Sequence, residues 1–330
     1  MVGEREILVT GGAGYIGCCL VRRLLARGYK VRVLDALLFG SRGIDEFMNH
    51  PHFTFLQGDV RHIEDLAQAV KGVDSVVHLA AIVGDPACQV NEDATMTVNC
   101  EATKALVEIC NHYGVERLIF ASSCSVYGAC KDLTLNEGSF LNPVSLYAKT
   151  RITSEKIILE RAEDGVVPTI VRLGTAYGYS RRMRFDLVVN ILTVKAIMEG
   201  TMTVYHGEVW RPLIHVEDAA QAYVVLLEAP QEKIDREIFN VGSNEQNYQM
   251  GKVGKIVEET VPGSKLLFVN ETEDNRNYRV CFDKIRYHLG YTTEKTVRDA
   301  VLEIEAKLKD GTVKDYKSDI YYNVRYKEYR

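Results

Sequence analysis

Two stretches of the chain hold the residue types needed to move a proton from an alcohol. One is the hydroxyl-rich run Ala121-Ser122-Ser123-Cys124-Ser125-Val126-Tyr127-Gly128, and the other is Tyr147-Ala148-Lys149-Thr150-Arg151. On a helix, residues four apart share a face, so the Tyr147 phenol and the Arg151 guanidinium stand together. A cation beside a phenol lowers its pKa from the reference of about 10. With a hydroxyl at the strand end beside it, the phenolate can then take a proton from an alcohol as hydride leaves the same carbon. Lys149 points about 160° away from Arg151 around the helix and is a poor substitute.

An alcohol that loses its proton while its carbon gives up hydride needs a hydride acceptor. Thr10-Gly11-Gly12-Ala13-Gly14-Tyr15-Ile16-Gly17 satisfies GxGxxG at Gly12, Gly14 and Gly17. The strand-like run Glu6–Thr10 precedes it, and Ile16, Leu20, Val21, Leu24 and Leu25 follow at helical spacing. In that context the pattern reads as a dinucleotide fingerprint: glycines let backbone N–H groups approach a pyrophosphate at a helix N-terminus. Gly11, Gly14, Tyr15, Ile16 and Gly17 are the expected contacts. Asp35 ends the next strand-like run, where a carboxylate accepts both ribose hydroxyls of NAD and repels the 2′-phosphate of NADP. Arg42 nearby leaves NADP open. Asp59-Val60 follows the third run, where an adenine edge would lie; Asp59 equally suits a helix cap.

These residues need a scaffold that brings strand ends together. Apolar runs at 6–10, 31–35, 53–56, 73–79, 117–122 and 167–173 alternate with helical patterns over Ile63–Val70, Asp93–His112 and Tyr147–Arg161. That rhythm predicts an α/β fold: a Rossmann-type, doubly wound parallel sheet with right-handed crossovers. Ligands of such sheets bind outside the carboxyl ends of the strands, which is where the candidates fall. From about Tyr179 the rhythm breaks. Residues 1–178 and 209–241 are expected to form the dinucleotide-binding domain, with 179–208 and 242–330 a smaller substrate-binding lobe. The basic loop Ser180–Asp186 would either close over a bound diphosphate or stand as a solvated turn, Arg211–Asp218 would return the chain to the main domain, and His215 is expected to be structural.

Composition narrows the function classes. The chain has 330 residues, 46% hydrophobic and 26% charged, with a net charge of −5, so no global basic field draws it to nucleic acid or an anionic membrane. No apolar run is long enough to span a bilayer. The charged start, with no signal-peptide pattern, points to a cytoplasmic protein. The eight cysteines form no CxxC pair and no His sits near them at zinc-ligand spacing, so reduced thiols and no metal are expected.

With these motifs assembled, the sequence resembles the extended short-chain dehydrogenase/reductase family, and within it the NAD-dependent nucleotide-sugar epimerases and dehydratases. The marks are TGGAGYIG at 10–17, Asp35, GDV at 58–60, HLAA at 78–81, Asn99, SSCSVYG at 122–128, YAKTR at 147–151, RLGTAYG at 172–178, Arg211 with His215-Val216-Glu217-Asp218, and FNVGS at 239–243. The resemblance implies that Ser123 holds a sugar 4-hydroxyl and that Tyr147 is the general base. It implies that Leu79, Ala80, Ala81 and Asn99 line the cofactor and that Arg172 and Thr175 lie beside its nicotinamide. Cys124 and Ser125 would face the sugar. Asn190 and Arg211 would contact the sugar-nucleotide diphosphate, joined by Arg276 or Arg279. The helices expected at Asp93–His112 and Tyr147–Arg161 would pair in a homodimer through apolar outer faces.

Two departures stand out. The family's usual Lys is Arg151 here, which keeps the charge but changes the geometry. The Asp-Glu pair of the 4,6-dehydratases, and the Glu usual in the decarboxylases, are replaced by Cys124-Ser125, which leaves water elimination without an evident acid. The resemblance therefore implies epimerisation of a nucleoside-diphosphate sugar at C4 through a 4-keto intermediate. A net 4-dehydrogenase or 4-ketoreductase, and a non-catalytic relative that binds NAD and nucleotide sugar, are the alternatives.

Overall fold

Short runs rich in Val, Ile and Leu end at glycines or caps, and in this computed structural model, which describes residues 5–269 and 277–325, they form the strands. The first half runs β1 (Glu6–Thr10), α1 (Gly17–Ala26), β2 (Lys30–Asp35), β3 (Phe53–Gln57), α2 (Ile63–Val70), β4 (Ser75–His78), α3 (Asp85–Val90), α4 (Glu92–Met96) and α5 (Ala102–Tyr113). Then come β5 (Arg117–Ser123), β6 (Ala129–Leu135), α6 (Leu146–Arg161) and β7 (Val167–Leu173). The second half holds β8 (Thr175–Tyr177), α7 (Val188–Glu199), β9 (Thr201–Tyr205), β10 (Trp210–His215), α8 (Val216–Glu228) and β11 (Glu237–Val241). It continues with β12 (Asn247–Gln249), α9 (Met250–Thr260), β13 (Lys265–Val269), β14 (Asn277–Val280), α10 (Asp283–Leu289) and α11 (Val297–Lys309).

Seven strands pair in the order β11-β7-β5-β4-β1-β2-β3, every pairing parallel. Parallel sheets need cover on both faces, and β7 is buried along its whole length accordingly. One core holds α1 and α8; the other holds α2, α5 and the inner side of α6. The chain leaves β1 toward β2 and β3, then crosses to β4 on the other side. Strand order reverses there, which opens a crevice at the carboxyl ends of β1 and β4.

The remaining strands make three smaller sheets, β12-β10-β8, β13-β9 and β14-β6. Helices α7, α9 and α11 pack with them around a third core. The return to the main sheet expected over Arg211–Asp218 is made only by α8, which packs on α1. Strand β10 pairs with β8 and β12 instead, because β11 already closes the edge of the large sheet at β7.

The helix predicted over Asp93–His112 runs without a gap from Glu92 to Tyr113, with one irregular turn inside it. A π-turn at Thr97–Glu101 joins α4 to α5, with the buried Asn99 at its centre. The outer faces here also differ from the apolar expectation. Val98, Ala105 and Leu159 pack inward, half-buried, while the exposed positions include Glu101, Glu108, Lys149 and Lys156. Among the described residues no helix is long and apolar enough to cross a membrane, and no group of His, Cys, Asp and Glu is placed to hold a metal.

Candidate active site

A cleft of about 800 Å³ runs along the crevice, from the glycine loop to the smaller sheets. At one end the backbone turns sharply after β1. Gly11 has φ +72° and packs so closely on the β4 loop that a Cβ would stand 2.8 Å from Ala80 N. At Gly17 a Cβ would stand 2.2 Å from Gly11 O, so only glycine lets α1 begin against the loop. Gly11, Gly14, Tyr15, Ile16 and Gly17 all line the cleft. Gly12 does not; it packs against Val33 beneath the loop. No side chain caps the start of α1; Cys18 N–H donates to the Gly14 carbonyl at 3.1 Å and Leu20 N–H to the Ile16 carbonyl at 3.0 Å, so the helix dipole, rather than a row of free donors in that turn, is what favours an anion there.

Asp35 lies at the end of β2 and lines the same cleft. Its Oδ2 accepts from Ala13 N at 3.0 Å and its Oδ1 from Leu37 N at 2.8 Å. Burial pushes its pKa above the ordinary carboxylate value, opposed by these two bonds and by Arg182. Asp59 and Val60 line the cleft at its rim, where Asp59 pairs with Arg61 at 2.5 Å. Leu79, Ala80 and Ala81 form the wall after β4. Thr10 and the buried His78 hold that wall: Thr10 Oγ1 is 2.7 Å from His78 Nδ1 and accepts from Ala80 N at 3.3 Å.

The proton-transfer residues converge deeper in. Ser145 caps α6, its side chain accepting from Ala148 N at 3.2 Å. One face of the helix then carries Tyr147, Arg151 and Glu155, four residues apart. Ser123, Ser125, Tyr147 and Arg151 line the cleft together. Arg151 is 2% exposed. Its guanidinium carbon lies 5.3 Å from the Tyr147 ring centroid and 5.2 Å from that of Phe120. Nη1 donates to the Ala121 carbonyl at 3.2 Å, but Nε and Nη2 are buried with no partner in the protein. Ser125 Oγ is likewise buried without a partner. The acidified phenol expected from the sequence needs correction: burial pushes the Tyr147 pKa up, and Arg151 pulls it down by less.

Behind these residues the polar groups are bonded to one another. Glu155 accepts from Ser122 Oγ, and from Arg172 Nη2 at 2.7 Å and Nε at 3.0 Å. Arg172 also reaches Tyr127, whose hydroxyl donates to Asn240 Oδ1 at 2.7 Å.

Several sequence assignments move on this evidence. Arg172 is locked in that network and does not line the cleft, whereas Thr175 does. Cys124 is 1% exposed, donates to the Arg172 carbonyl and packs with Tyr278, Val280 and Phe282; it faces away from the cleft. Asn99 is also behind the wall: its amide pins Ile82 through both N–H and C=O, at 2.9 and 3.0 Å, and donates to Thr150. Asn190 is spent internally, accepting from Gly178 N and donating to Tyr15 Oη and the Arg184 carbonyl. Arg211 lines the cleft beside Tyr278. Arg279 stacks on Trp210 instead, and Arg276 lies outside the described residues. His215 caps α8 and bonds Glu303, as a structural residue does. Of the described cysteine side chains, six are buried and Cys281 is partly buried.

The sequence pointed to the basic loop but not to its working members. Arg182 and Arg184 line the cleft, while Arg181 pairs with Glu46 on the surface. Arg182 lies 3.8 Å over the Phe39 ring. Arg184 is held bidentately by Asp186, at 2.9 and 2.8 Å. Asn323 and Val324 line the cleft too, from a segment with no motif. Its only signal was a cluster of tyrosines that must pack somewhere.

A glycine cradle at a helix start, a strand-end acid and a Ser/Tyr/Arg set share one cleft of a Rossmann-type α/β fold. The sequence profile of the NAD dependent epimerase/dehydratase family matches residues 7–242, and the chain belongs to that family. It is 30% identical over 257 residues to a UDP-glucose 4-epimerase of Lactobacillus helveticus, covering 72% of this chain and 76% of that one. Among solved structures it is similar to the dTDP-glucose 4,6-dehydratase DesIV of Streptomyces venezuelae with NAD bound (TM-score 0.82, 25% identity, 93% and 98% of the two chains). It is equally similar to a UDP-glucuronic acid 4-epimerase of Bacillus cereus in complex with UDP-glucuronic acid and NAD (TM-score 0.81, 25% identity, 92% and 99%).

Proposed function

We propose that the protein is an NAD-dependent epimerase of a nucleoside-diphosphate sugar, acting at C4. The observation that carries this reading is the convergence of Ser123, Tyr147 and Arg151 on one cleft, with two buried Arg151 nitrogens unpartnered. A buried guanidinium without acceptors is costly alone and is satisfied by ribose hydroxyls of a bound dinucleotide. The start of α1 and the glycine turn fit a pyrophosphate, and Asp35 fits the adenosine ribose. When bound, the oxidised nicotinamide supplies hydride acceptance and returns the hydride later.

Tyr147 removes the proton of the sugar 4-hydroxyl as the C4–H bond breaks, leaving a 4-keto sugar. Ser123 donates to and orients that oxygen, and Arg151 stabilises the phenolate. The keto sugar turns over in the cleft, and Tyr147 gives the proton back when hydride arrives on the other face. Arg211, with Arg184 of the loop before α7, supplies positive charge for the diphosphate. The position after Ser123 supports epimerisation over elimination, since Cys124 faces away and Ser125 is no carboxylate.

The test is incubation with UDP-, GDP-, CDP- and dTDP-sugars, with products identified by NMR while nicotinamide absorbance is followed. An isomeric sugar without net reduced nicotinamide is expected. Stoichiometric reduced nicotinamide would mean a net dehydrogenase, a dehydrated sugar would mean elimination, and binding without product would mean a non-catalytic relative.

A further inference from the structure

Residues 316–325 belong to none of the motifs above, yet they are seated on the cleft. Asn323 is 5% exposed. Its Oδ1 accepts from Arg182 Nη2 at 2.6 Å, its Nδ2 donates to the Val83 carbonyl at 3.2 Å, and its backbone N–H donates to Asp186 Oδ2 at 3.3 Å. Two residues earlier, the Tyr321 carbonyl accepts from Phe185 N at 3.0 Å and the Tyr321 hydroxyl accepts from Arg42 Nη1 at 2.9 Å. Phe185 meets the Tyr321 ring edge-on, with centroids 5.4 Å apart.

These bonds reach three separate walls of the cleft: the loop after β2 through Arg42, the loop after β4 through Val83, and the loop before α7 through Arg182, Phe185 and Asp186. Of the residues held, Val83, Arg182 and Asp186 line the cleft. Arg182 stacks on Phe39 and acts on Asp35, at the end where a ribose acid stands. Asp186 holds Arg184, whose charge acts on Tyr147 at the other end. Tyr316, Tyr321 and Tyr322 anchor the segment in the main core, and polar bonds alone carry it across the cleft. Apart from single turns at Asp319–Tyr321 and Asn323–Arg325 the segment has no regular structure, and Ile320 and Val324 are 47% and 39% exposed. A few polar bonds between loops open far more readily than a core strand.

We propose that residues 316–325 are a strap across the dinucleotide cleft, with Asn323 the positioning residue that fastens it, and that the strap must part before a bound dinucleotide leaves. The proposal rests on the reading that the cleft holds NAD. The strap would keep the cofactor in place through repeated oxidation and reduction of the sugar, since epimerisation regenerates the cofactor and has no need to exchange it.

The experiment measures dissociation of NADH from the full-length protein by stopped-flow fluorescence, independently of any turnover. Asn323→Ala removes the side-chain bonds to two walls, and the dissociation rate should rise about tenfold or more. Tyr321→Phe keeps the ring on Phe185 and removes only the hydroxyl that Arg42 reaches; a rise of about threefold to tenfold is expected, with unchanged thermal stability. Added NAD should also slow hydrogen exchange at the Asn323 and Phe185 amides. A wild-type dissociation rate in both variants, or exchange at those amides indifferent to NAD, overturns the strap while leaving the cofactor reading intact. A wild type that holds no dinucleotide overturns both.

Discussion

Replacing Arg151 by Met tests the site at its centre. The guanidinium carbon is 5.3 Å from the Tyr147 ring centroid, and at an effective dielectric of about 20 a charge pair so separated is worth about 3 kcal/mol. The base acts as phenolate, so turnover climbs with pH until the phenol has ionised. Arg151→Met should move that climb to higher pH, and losing about 3 kcal/mol of phenolate stabilisation corresponds to a loss of about a hundredfold in kcat at neutral pH. Arg151→Lys keeps the charge and should stay within about tenfold of the wild type. The same Met substitution should stabilise the free protein. It removes a buried charge with two unpartnered nitrogens and fills the space with an apolar chain, for a gain of about 1–3 kcal/mol read from the urea midpoint. The assay is a kcat–pH profile on the active nucleotide sugar, with the denaturation curve run on the same samples. A Met variant that turns over with the wild-type profile would show that the phenol's ionisation owes nothing to Arg151, and the reasoning would fail.

Glu155→Gln should leave the buried Arg172 without its counterion, costing about 3–5 kcal/mol of stability; an unshifted urea midpoint would contradict it. Asp35→Ser should weaken NAD binding about tenfold to a hundredfold and narrow its advantage over NADP, as measured by titration with both dinucleotides. Cys124→Ala should cost about 1–2 kcal/mol of stability but leave turnover within about twofold, because the thiol faces the core; a large loss of kcat at normal stability would return Cys124 to the site. His78→Gln should change how stability depends on pH. Burial pushes the folded His78 pKa down to about 3, against about 6.5 unfolded, so the unfolded chain takes the proton first as pH falls. The stability present above about pH 6.5 is lost on the way down toward 3, by up to about 1.4 kcal/mol per pH unit, and the variant should flatten that slope in urea titrations.

The sheet could be read from the sequence because its strands obey one rule: buried on both faces, they are short apolar runs ended by glycine or a polar cap. The run Val167–Leu173 matches its strand end to end, and Ile63–Val70 matches its helix. In the second half, strands such as Thr175–Tyr177 and Asn247–Gln249 are three residues long and partly exposed, and leave little apolar periodicity to find. The π-turn at Thr97–Glu101 was hidden for a different reason. It arises from the Asn99 amide bonding Ile82, a partner seventeen residues earlier that no local pattern names. Among the candidate site residues, Gly11, Gly14, Gly17 and Asp35, whose chemistry is tied to backbone geometry, line the cleft. Asn190, Arg172 and Cys124 do not, because a residue type says what a side chain can bond but not which way it turns. Asn190 meets its needs within the protein, and Arg172 finds Glu155.

That contrast in satisfaction separates scaffold from working surface on a single helix. On α6, Glu155 has its oxygens engaged by Ser122 and Arg172, so its end of the helix is pinned to β5 and β7. One turn earlier, Arg151 has a single bond to a backbone carbonyl and two nitrogens with none. One turn earlier again, Tyr147 opens on the cleft. A fold selected for stability alone would not keep a buried guanidinium in that state, since an apolar side chain there costs nothing to desolvate. Pinning one end of the helix rigidly while leaving the next turn's donors unmet fixes their direction in advance of any ligand. Hydrogen-bond donors held in place before binding lose little entropy when the acceptor arrives. Arg151, at the position where the family resemblance implies a Lys, suits that arrangement. A planar guanidinium wedged between Phe120 and Tyr147 cannot swing to solvent as an ammonium can, so its charge stays beside the phenol through every step of the proposed cycle.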